Sequence, residues 1–294
     1  MNHSANIISF NRKEHDRLAD AYDSSHSEIY NPFEQRRIAQ ALKETVSQIR
    51  TNSDNPLVLD FGSGTGNLTS HLLNLNVNVL AADVSEKSLE HLKEKVNFGN
   101  QLQTTILNGV DLSQFPDNSF DMIATYSVLH HVPDYLQIIK EFLRVVKPGG
   151  IIYIDHEVCL SYWCKDKNYQ RYLDELGEDF SENHLVELEV SWHFKLLRKS
   201  FDNLFSKVTS RKSWKNLLKK LTGVKNVPVQ ISDIHVFKHD HIEWDDIKKI
   251  LLPQCKIIKD SEYLVCRERS AQAPVWHRWN SKCADMRMLI VRKI

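Results

Sequence analysis

Three glycines stand at alternate positions directly after a short apolar run in the sequence LVLDFGSGTGN (57–67). Glycine adopts backbone conformations with positive φ and lets the backbone approach a ligand closely. The run before the glycines has the length of a buried strand, and the segment after them has the length of a helix. A strand, a glycine turn and a helix in this order bind nucleotide-like ligands at the carboxyl ends of α/β sheets. The stretch therefore predicts an α/β fold with a ligand site at the turn.

The spacing of the glycines does not fit the dinucleotide fingerprint, which places the third glycine three residues after the second. Here Gly66 follows Gly64 by two residues. Two acids flank the turn: Asp60 precedes it, and Asp83 ends the next apolar run. A carboxylate at Asp83 can accept hydrogen bonds from both hydroxyls of a ribose, whereas Asp60 would repel a phosphate and attract an ammonium group. An adenosine attached to an amino acid has the ribose hydroxyls and the ammonium group, and it lacks a phosphate. S-adenosylmethionine is such a ligand.

The rest of the first half of the chain alternates strand-like and helix-like segments. Short apolar runs separated by helices indicate a parallel sheet covered on both faces, and Lys147–Gly150 reads as a strong stop. The predicted strands are 57–61, 78–83, 104–108, 120–126, 151–157, 256–266 and 286–294, and the predicted helices are 34–49, 67–75, 85 onward, 134–146 and 242–252.

The alternation breaks after residue 157. Residues 174–189 contain seven acidic residues and no Lys or Arg, and residues 195–225 contain ten Lys or Arg residues. We therefore predict a core of residues 1–157 and 233–294, with residues 158–232 inserted as a helical, substrate-facing lid.

Composition narrows the class of protein further. The 294 residues carry 38 basic and 38 acidic side chains, so no protein-wide basic field for nucleic acid exists. The five cysteines are an odd number without a CxxC pair, which favours a reducing compartment over a disulfide framework. No apolar stretch approaches eighteen residues. These features predict a cytoplasmic protein. His235 and the HDH stretch (239–241) lack a nearby Cys or Glu ligand, and no metal site is predicted.

Four blocks together resemble the class I S-adenosylmethionine-dependent methyltransferases. They are LDFGSGTGNLTSHL, VLAADVSEKSLE, FPDNSFDMIATYSVLHHVPD and EFLRVVKPGGIIYIDHE, in the family's order across residues 56–157. The small-molecule methyltransferases of ubiquinone and menaquinone biosynthesis are similar also in the N-terminal piece LADAYDSSHSEIYNP. The resemblance implies a Rossmann-like, doubly wound, seven-stranded mixed sheet whose last strand is antiparallel and lies beside the sixth.

The resemblance also implies roles for the cofactor-side residues. Asp83 would bind the ribose, with Val84 against the adenine, and Tyr22 would close over the cofactor. The family's acid after the third strand falls here on Gly109, a departure that leaves Asp111 as the nearest carboxylate. The implied cofactor-binding residues are Tyr22, Asp60, Gly62, Gly64, Gly66, Asp83, Val84, Gly109, Val110 and Asp111.

The last residue of the fourth strand and two histidines past it are candidates for catalysis. A hydroxyl or carbon acid acceptor needs a base, and His130, His131 and Tyr126 lie at the predicted carboxyl edge. The alternative is that the histidine pair shapes the pocket beneath the cofactor.

Acids and aromatic residues supply the candidate contacts to the acceptor. Aromatic walls suit a planar or lipophilic small molecule. The alternatives are that Asp155 and His156 cap the fifth strand and that the aromatic residues join the lid to the core. The predicted substrate residues are Asp155, His156, Tyr162, Trp163, Trp276 and Trp279.

The sequence thus favours methyl transfer to O, N or C of a small organic acceptor. One alternative is a tRNA or protein methyltransferase that uses the basic segment 195–225, which as an amphipathic helix could also contact a membrane surface or a polyanion. Another is a non-catalytic protein of the same fold that binds the cofactor.

Overall fold

The computed structural model describes residues 3–20, 22–49, 55–96, 99–164, 166–177, 236, 241–268 and 272–294. Met1–Leu176 and Asp233–Ile294 form one compact unit. Most of the predicted insertion, including the basic segment 195–225, lies outside the described residues, as do His235, His239 and Asp240. The boundaries and role of that insertion therefore stay predictions.

The described strands form one seven-stranded sheet in the order β3-β2-β1-β4-β5-β7-β6. Neighbouring strands are parallel except for β7, which runs antiparallel to both β5 and β6. The predicted mixed sheet, with its last strand antiparallel beside the sixth, is confirmed. The strands are β1 Leu57–Phe61, β2 Asn78–Asp83, β3 Leu102–Ile106, β4 Phe120–Tyr126, β5 Val146–Val158, β6 Cys255–Tyr263 and β7 Met286–Lys293.

Helices cover both faces of the sheet, as the continuous burial of β4 requires. Ile38 and Leu42 of the amphipathic helix α3 pack on one face, and Ile139 and Phe142 of α6 pack on the other. The described helices are α1 His3–Leu18, α2 Tyr22–Ser25, α3 Pro32–Ile49, α4 Asn67–Asn74, α5 Glu86–Lys95, α6 Tyr135–Val145, α7 Leu160–Trp163, α8 Lys167–Leu176, α9 Trp244–Leu251 and α10 Pro274–Trp279, with short 3₁₀ turns at Gly99–Gln101 and Leu129–His131.

Several element bounds differ from the predictions, and a long helix was missed. Strand β6, predicted at 256–266, already ends at Tyr263. Strand β3 begins and ends two residues earlier than predicted. The predicted stop at Lys147–Gly150 ends helix α6 but does not delay the next strand: β5 already pairs with β4 at Val146, and an irregular register absorbs the positive φ of Gly149. Helix α1 was not predicted, because its mostly polar sequence lacks a clear apolar period.

Among the described helices, none is both long enough and apolar enough to cross a membrane. The described residues also contain no group of three or more His, Cys, Asp or Glu side chains arranged to hold a metal ion.

Candidate functional site

The glycine turn forms one wall of a cavity at the carboxyl edge of the sheet. Gly62 has φ +71° and Gly64 has φ +50°, a left-handed conformation that other residues adopt only with strain. A Cβ atom on Gly62 would lie 2.5 Å from Cγ2 of Val128. A Cβ atom on Gly64 would meet no atom within 4 Å. The first glycine is thus required by close packing against the β4 loop, and the second leaves backbone exposed to the cavity.

Asp83 fastens this turn to the end of β2. Its Oδ2 accepts a hydrogen bond from the backbone N–H of Gly64 at 2.8 Å. Its Oδ1 accepts one from the backbone N–H of Ser85, also at 2.8 Å. The carboxylate lines the cavity next to Val84 and keeps 8% of its surface exposed. One acid therefore both orders the turn and presents acceptor oxygens to a ligand.

Asp60 lies behind the turn, outside the cavity lining among the described residues. Its Oδ2 accepts a hydrogen bond from Oγ1 of Thr69 at 2.5 Å. Complete burial, together with the neighbouring charge of Asp83, raises the pKa of Asp60 to about 7. A cation placed near it would favour the ionised form. Gly66 also lies outside the lining and instead begins helix α4.

The loop after β3 brings Gly109 and Asp111 to the cavity, while Val110 is exposed. The carboxylate of Asp111 is already occupied by its own loop. Its Oδ1 accepts hydrogen bonds from Asn108 Nδ2 at 2.8 Å and from Ser113 Oγ at 2.7 Å. These hydrogen bonds lower the pKa of Asp111.

Helix α1 supplies a wall that sequence reasoning missed. Ile8, Asn11 and His15 line the cavity. The side-chain amide of Asn11 donates to the carbonyl oxygen of His131 at 3.1 Å, and Oδ1 of Asp16 accepts from Oγ of Ser85 at 2.6 Å. The helix therefore spans from the loop after β4 to the loop after β2. Because these contacts join residues 69 to 120 positions apart, no local pattern announces them.

The segment after α1 closes over the glycine turn. Tyr22 lines the cavity, and its ring stacks on His26 with centroids 4.1 Å apart. The hydroxyl groups of Tyr30 and Thr65 share a hydrogen bond of 3.2 Å. Oγ1 of Thr65 donates in turn to Oδ1 of Asp23 at 2.6 Å. The glycine turn is thus held by Tyr30 and Asp23 through Thr65, and by Asp83 through the backbone of Gly64.

Only two of the three candidate catalytic residues line the cavity. Tyr126 and His131 line it, whereas His130 lies just outside the lining. The Tyr126 hydroxyl donates to Oε1 of Glu34 at 2.8 Å, and burial raises the pKa of Tyr126 well above its usual value. Nδ1 of His130 contacts Oε2 of Glu157 at 2.8 Å. The rings of His130 and His131 touch, with centroids 4.1 Å apart.

The sequence comparison identifies the segment that carries this geometry. The profile described as "Methyltransferase domain" matches residues 59–154, which include the glycine turn, Asp83 and the histidine pair. This segment is a methyltransferase domain. The resemblance to the class I S-adenosylmethionine-dependent methyltransferases, predicted from the sequence, is confirmed.

Relatives of this segment are named demethylmenaquinone methyltransferases. The demethylmenaquinone methyltransferase of Listeria welshimeri is 34% identical over 112 residues, which cover 37% of this chain and 47% of that protein. That of Bacillus licheniformis is 30% identical over 141 residues, which cover 45% and 58%. The chain therefore spans about half the length of the curated relatives it matches. A S-adenosylmethionine-dependent methyltransferase from Aquifex aeolicus superposes with a TM-score of 0.48 at 14% identity, over 95% of this chain and 98% of that one.

The cavity of the methyltransferase domain fits the family's cofactor, S-adenosylmethionine. Counted out to its open mouth, and including solvent space there, it holds about 1050 Å³. Exposed backbone at Gly64 and the carboxylate of Asp83 offer polar partners for the amino acid and the ribose. Val84 and Leu107 supply an apolar surface nearby.

The predicted substrate residues lie outside this cavity lining. Asp155 is buried in an ionic cluster with Arg37, which donates to it at 2.8 Å. His156 stacks on the Tyr126 ring at 4.5 Å. The four aromatic residues belong to two hydrophobic clusters further along the same edge: Tyr162, Trp163, Trp276 and Trp279. The structure does not bring these four to the cavity, and their role in acceptor binding stays a prediction.

Proposed function

We propose that this chain is an S-adenosylmethionine-dependent methyltransferase that acts on a small organic acceptor. The observation that carries the proposal is the single cavity shared by the two halves of the site. Gly64, Asp83, Tyr126 and His131 all line it. A cofactor held at the glycine turn would therefore face the loop after β4 that carries His130 and His131 (residues 127–132, the histidine loop).

The chain's own residues have three tasks in such a reaction. When bound, S-adenosylmethionine supplies a methyl group on a positively charged sulfur, so that an electron pair of the acceptor, either a lone pair or a π pair of an electron-rich ring, can form the new bond to carbon as the carbon–sulfur electron pair returns to sulfur. Asp83 and the glycine turn orient the cofactor, and helix α1 excludes water from the cavity. His131 can receive the proton that the acceptor gives up. Alignment and exclusion of water account for much of the rate of such displacements.

The wall residues favour an acceptor that is apolar and planar. Ile29, Val128, Val132 and Ile138 line the cavity together with the ring of Tyr126. Rings and branched side chains suit the flat face of an aromatic compound. The names of the relatives point the same way, so we propose a reduced naphthoquinone lacking a ring methyl group as the first acceptor to test.

We also propose that the protein works in a reducing cytoplasmic compartment. All five of its cysteines are free thiols in the structure. Burial raises the pKa of Cys159 to about 11, which keeps that thiol protonated and unreactive.

Calorimetry with S-adenosylhomocysteine tests the cofactor half of the proposal. We expect the wild-type protein to bind, and Asp83→Asn to bind roughly 10- to 100-fold more weakly, since hydrogen bonds to a charged group contribute about 1.5–3 kcal/mol. Asp121→Asn is the matched control, because Asp121 lies at the opposite, amino-terminal end of β4 and accepts from the backbone N–H of Leu57. Absence of binding by the wild-type protein would refute the proposal.

The acceptor half is tested with 1,4-naphthohydroquinone, kept reduced, and S-adenosylmethionine carrying a labelled methyl group. We expect the label to appear on the naphthohydroquinone in step with release of S-adenosylhomocysteine. Binding of the cofactor without transfer to this probe or to a panel of phenols, amines and thiols would favour a non-catalytic role.

A further inference from the structure

Strand β5 ends with a buried carboxylate whose hydrogen bonds all go to the histidine loop. Glu157 has none of its surface exposed. Its Oε1 accepts from the backbone N–H groups of Val128 at 2.8 Å and Leu129 at 2.7 Å. Its Oε2 contacts Nδ1 of His130 at 2.8 Å. One side chain therefore sets the position of three consecutive residues of the loop after β4.

A bulge in β5 aims this carboxylate at the loop. Tyr153 and Asp155 project toward helix α3, where Arg37 binds Asp155. Regular alternation would send Glu157 to the same face. Instead the register with β7 shifts between Ile154 and Glu157, and His156 has φ +60°. Bulges and left-handed non-glycine residues cost free energy and occur preferentially beside active sites, where they re-aim a side chain.

The histidine loop, which Glu157 holds, lines the cavity and packs against the glycine turn. Val128 packs so closely on the glycine turn that a Cβ atom at Gly62 would overlap it. The ring of His130 packs against the ring of His131, which lines the cavity. The position of the histidine pair thus depends on the contacts that Glu157 makes.

We infer that Glu157 is a positioning residue for the acceptor side of the site and acts through His130. A carboxylate is only an acceptor, so it requires the proton of the neutral His130 ring to be on Nδ1. Nε2 is then the nitrogen with the lone pair, and the ring orientation that supports His131 is fixed. The inference deepens the proposed function and rests on it: the residue serves the transfer step and not the binding of the cofactor.

Glu157→Gln tests this role with little change of shape. The amide oxygen can still accept from the two backbone N–H groups, but the amide nitrogen facing His130 is a donor and requires the other tautomer of the ring. We expect kcat/KM with 1,4-naphthohydroquinone to fall roughly 100-fold, the lower range of general acid–base effects. The Kd for S-adenosylhomocysteine should change less than about threefold. Asp121→Asn, at the far end of the sheet, should change neither value by more than about twofold.

Two further measurements separate positioning from a general structural effect. Because neighbours in one network are not additive, Glu157→Gln combined with His130→Asn should be no slower than His130→Asn alone. Nitrogen-15 NMR of the imidazole rings in the wild-type protein should show the proton of His130 on Nδ1, and on Nε2 in Glu157→Gln.

Each outcome decides the inference. Additive losses, full activity of Glu157→Gln, or a loss explained entirely by weaker binding of S-adenosylhomocysteine would overturn it. A His130 proton found on Nε2 in the wild-type protein would overturn it even if the variant did not fold. A wild-type protein with no methyl transfer would instead refute the proposed function, while the NMR result would still report on the pair.

Discussion

The two sides of the cavity are constructed in different ways. The cofactor side is made by backbone conformation within one short stretch, where Gly62 and Gly64 take positive φ and Asp83 joins the turn from the next strand. The acceptor side, where Tyr126 and His131 line the cavity, is backed by buried charged side chains that meet from distant parts of the chain: Glu34, Arg37, Asp155 and Glu157. We therefore expect that a change in the buried charged network can leave binding of the cofactor intact.

The ionic cluster behind Tyr126 shows what the acceptor side depends on. Arg37 donates to Glu34 at 2.6 Å and to Asp155 at 2.8 Å, and its guanidinium lies 3.8 Å from the centroid of the Tyr263 ring. The Tyr263 hydroxyl donates to Asp155 at 2.9 Å. Burial raises the pKa of Glu34, although Arg37 opposes that shift. One cation therefore compensates two buried carboxylates.

The largest expected effect comes from removing that cation. Arg37→Met leaves Glu34 and Asp155 buried without a compensating cation, which should lower the free energy of unfolding by about 3–5 kcal/mol. Denaturant unfolding at pH 7 measures it. The matched control is Arg17→Met, where the half-exposed Arg17 pairs with Glu14 on the surface of α1; such pairs contribute about 0–1 kcal/mol.

The same variant tests whether the two sides are separable. Folded Arg37→Met should bind S-adenosylhomocysteine within about threefold of the wild-type Kd, a factor that corresponds to less than 1 kcal/mol. An affinity loss as large as the stability loss would show that the cofactor side also depends on the cluster, and the comparison would then fail.

The second prediction concerns Asp60, the buried acid of the cofactor side, which has no cation beside it comparable to Arg37 among its described contacts. Its pKa is about 7 in the folded protein, against an ordinary value of 3.8. The folded protein therefore keeps a proton that the unfolded chain releases, and stability is lost as the pH rises from about 4 through 7. Asp60→Asn removes this loss, by up to about 4 kcal/mol at about 1.4 kcal/mol per pKa unit.

Unfolding measured from pH 4 to pH 8 checks the sign. Asp60→Asn should match the wild-type stability near pH 4 and exceed it increasingly up to pH 8, while binding S-adenosylhomocysteine more weakly. Asp121→Asn provides the contrast, since Asp121 already pairs with Lys147 at 2.9 Å and should give no gain at high pH. If Asp60→Asn is less stable than the wild type at pH 8, the prediction is wrong. A neighbouring group would then stabilise the ionised form of Asp60, so that its ionisation does not lower the free energy of unfolding.

The sequence predicted the cofactor side because its determinants are close together along the chain. Glycine spacing, Asp83 and a run of fully buried strand residues are local signals, and β1, β2 and β4 were predicted with correct bounds. The acceptor side could not be read in the same way. Arg37 and Asp155 are 118 residues apart, and Glu34 and Tyr126 are 92 apart. Before folding, Arg37 looks like one more solvated charge on an amphipathic helix.

The bulge in β5 was hidden for a related reason. Residues 151–157 read as a regular strand, and nothing in IIYIDHE distinguishes the residue that turns the backbone. Only pairing with β7 reveals the shift between Ile154 and Glu157. Sequence reasoning therefore placed Glu157 at the correct edge of the sheet without showing that it contacts the histidine loop.

The smallest predicted effect probes the contact at which the two sides meet, between Gly62 and Val128. Gly62→Ala combines two costs: φ +71° is unfavourable for alanine by about 1–2 kcal/mol, and a Cβ atom 2.5 Å from Cγ2 of Val128 adds about 1–3 kcal/mol of overpacking. Gly99→Ala is the matched control, since Gly99 has φ +55° with no atom within 4 Å of a Cβ. The excess loss of unfolding free energy at Gly62 over Gly99 should therefore be about 1–3 kcal/mol. Gly62→Ala/Val128→Ala should recover most of that excess, because the shorter side chain vacates the space that the new Cβ needs. Equal losses at Gly62 and Gly99, or no recovery in the double variant, would mean that the glycine is required by its own φ alone and that the turn and the histidine loop are packed independently.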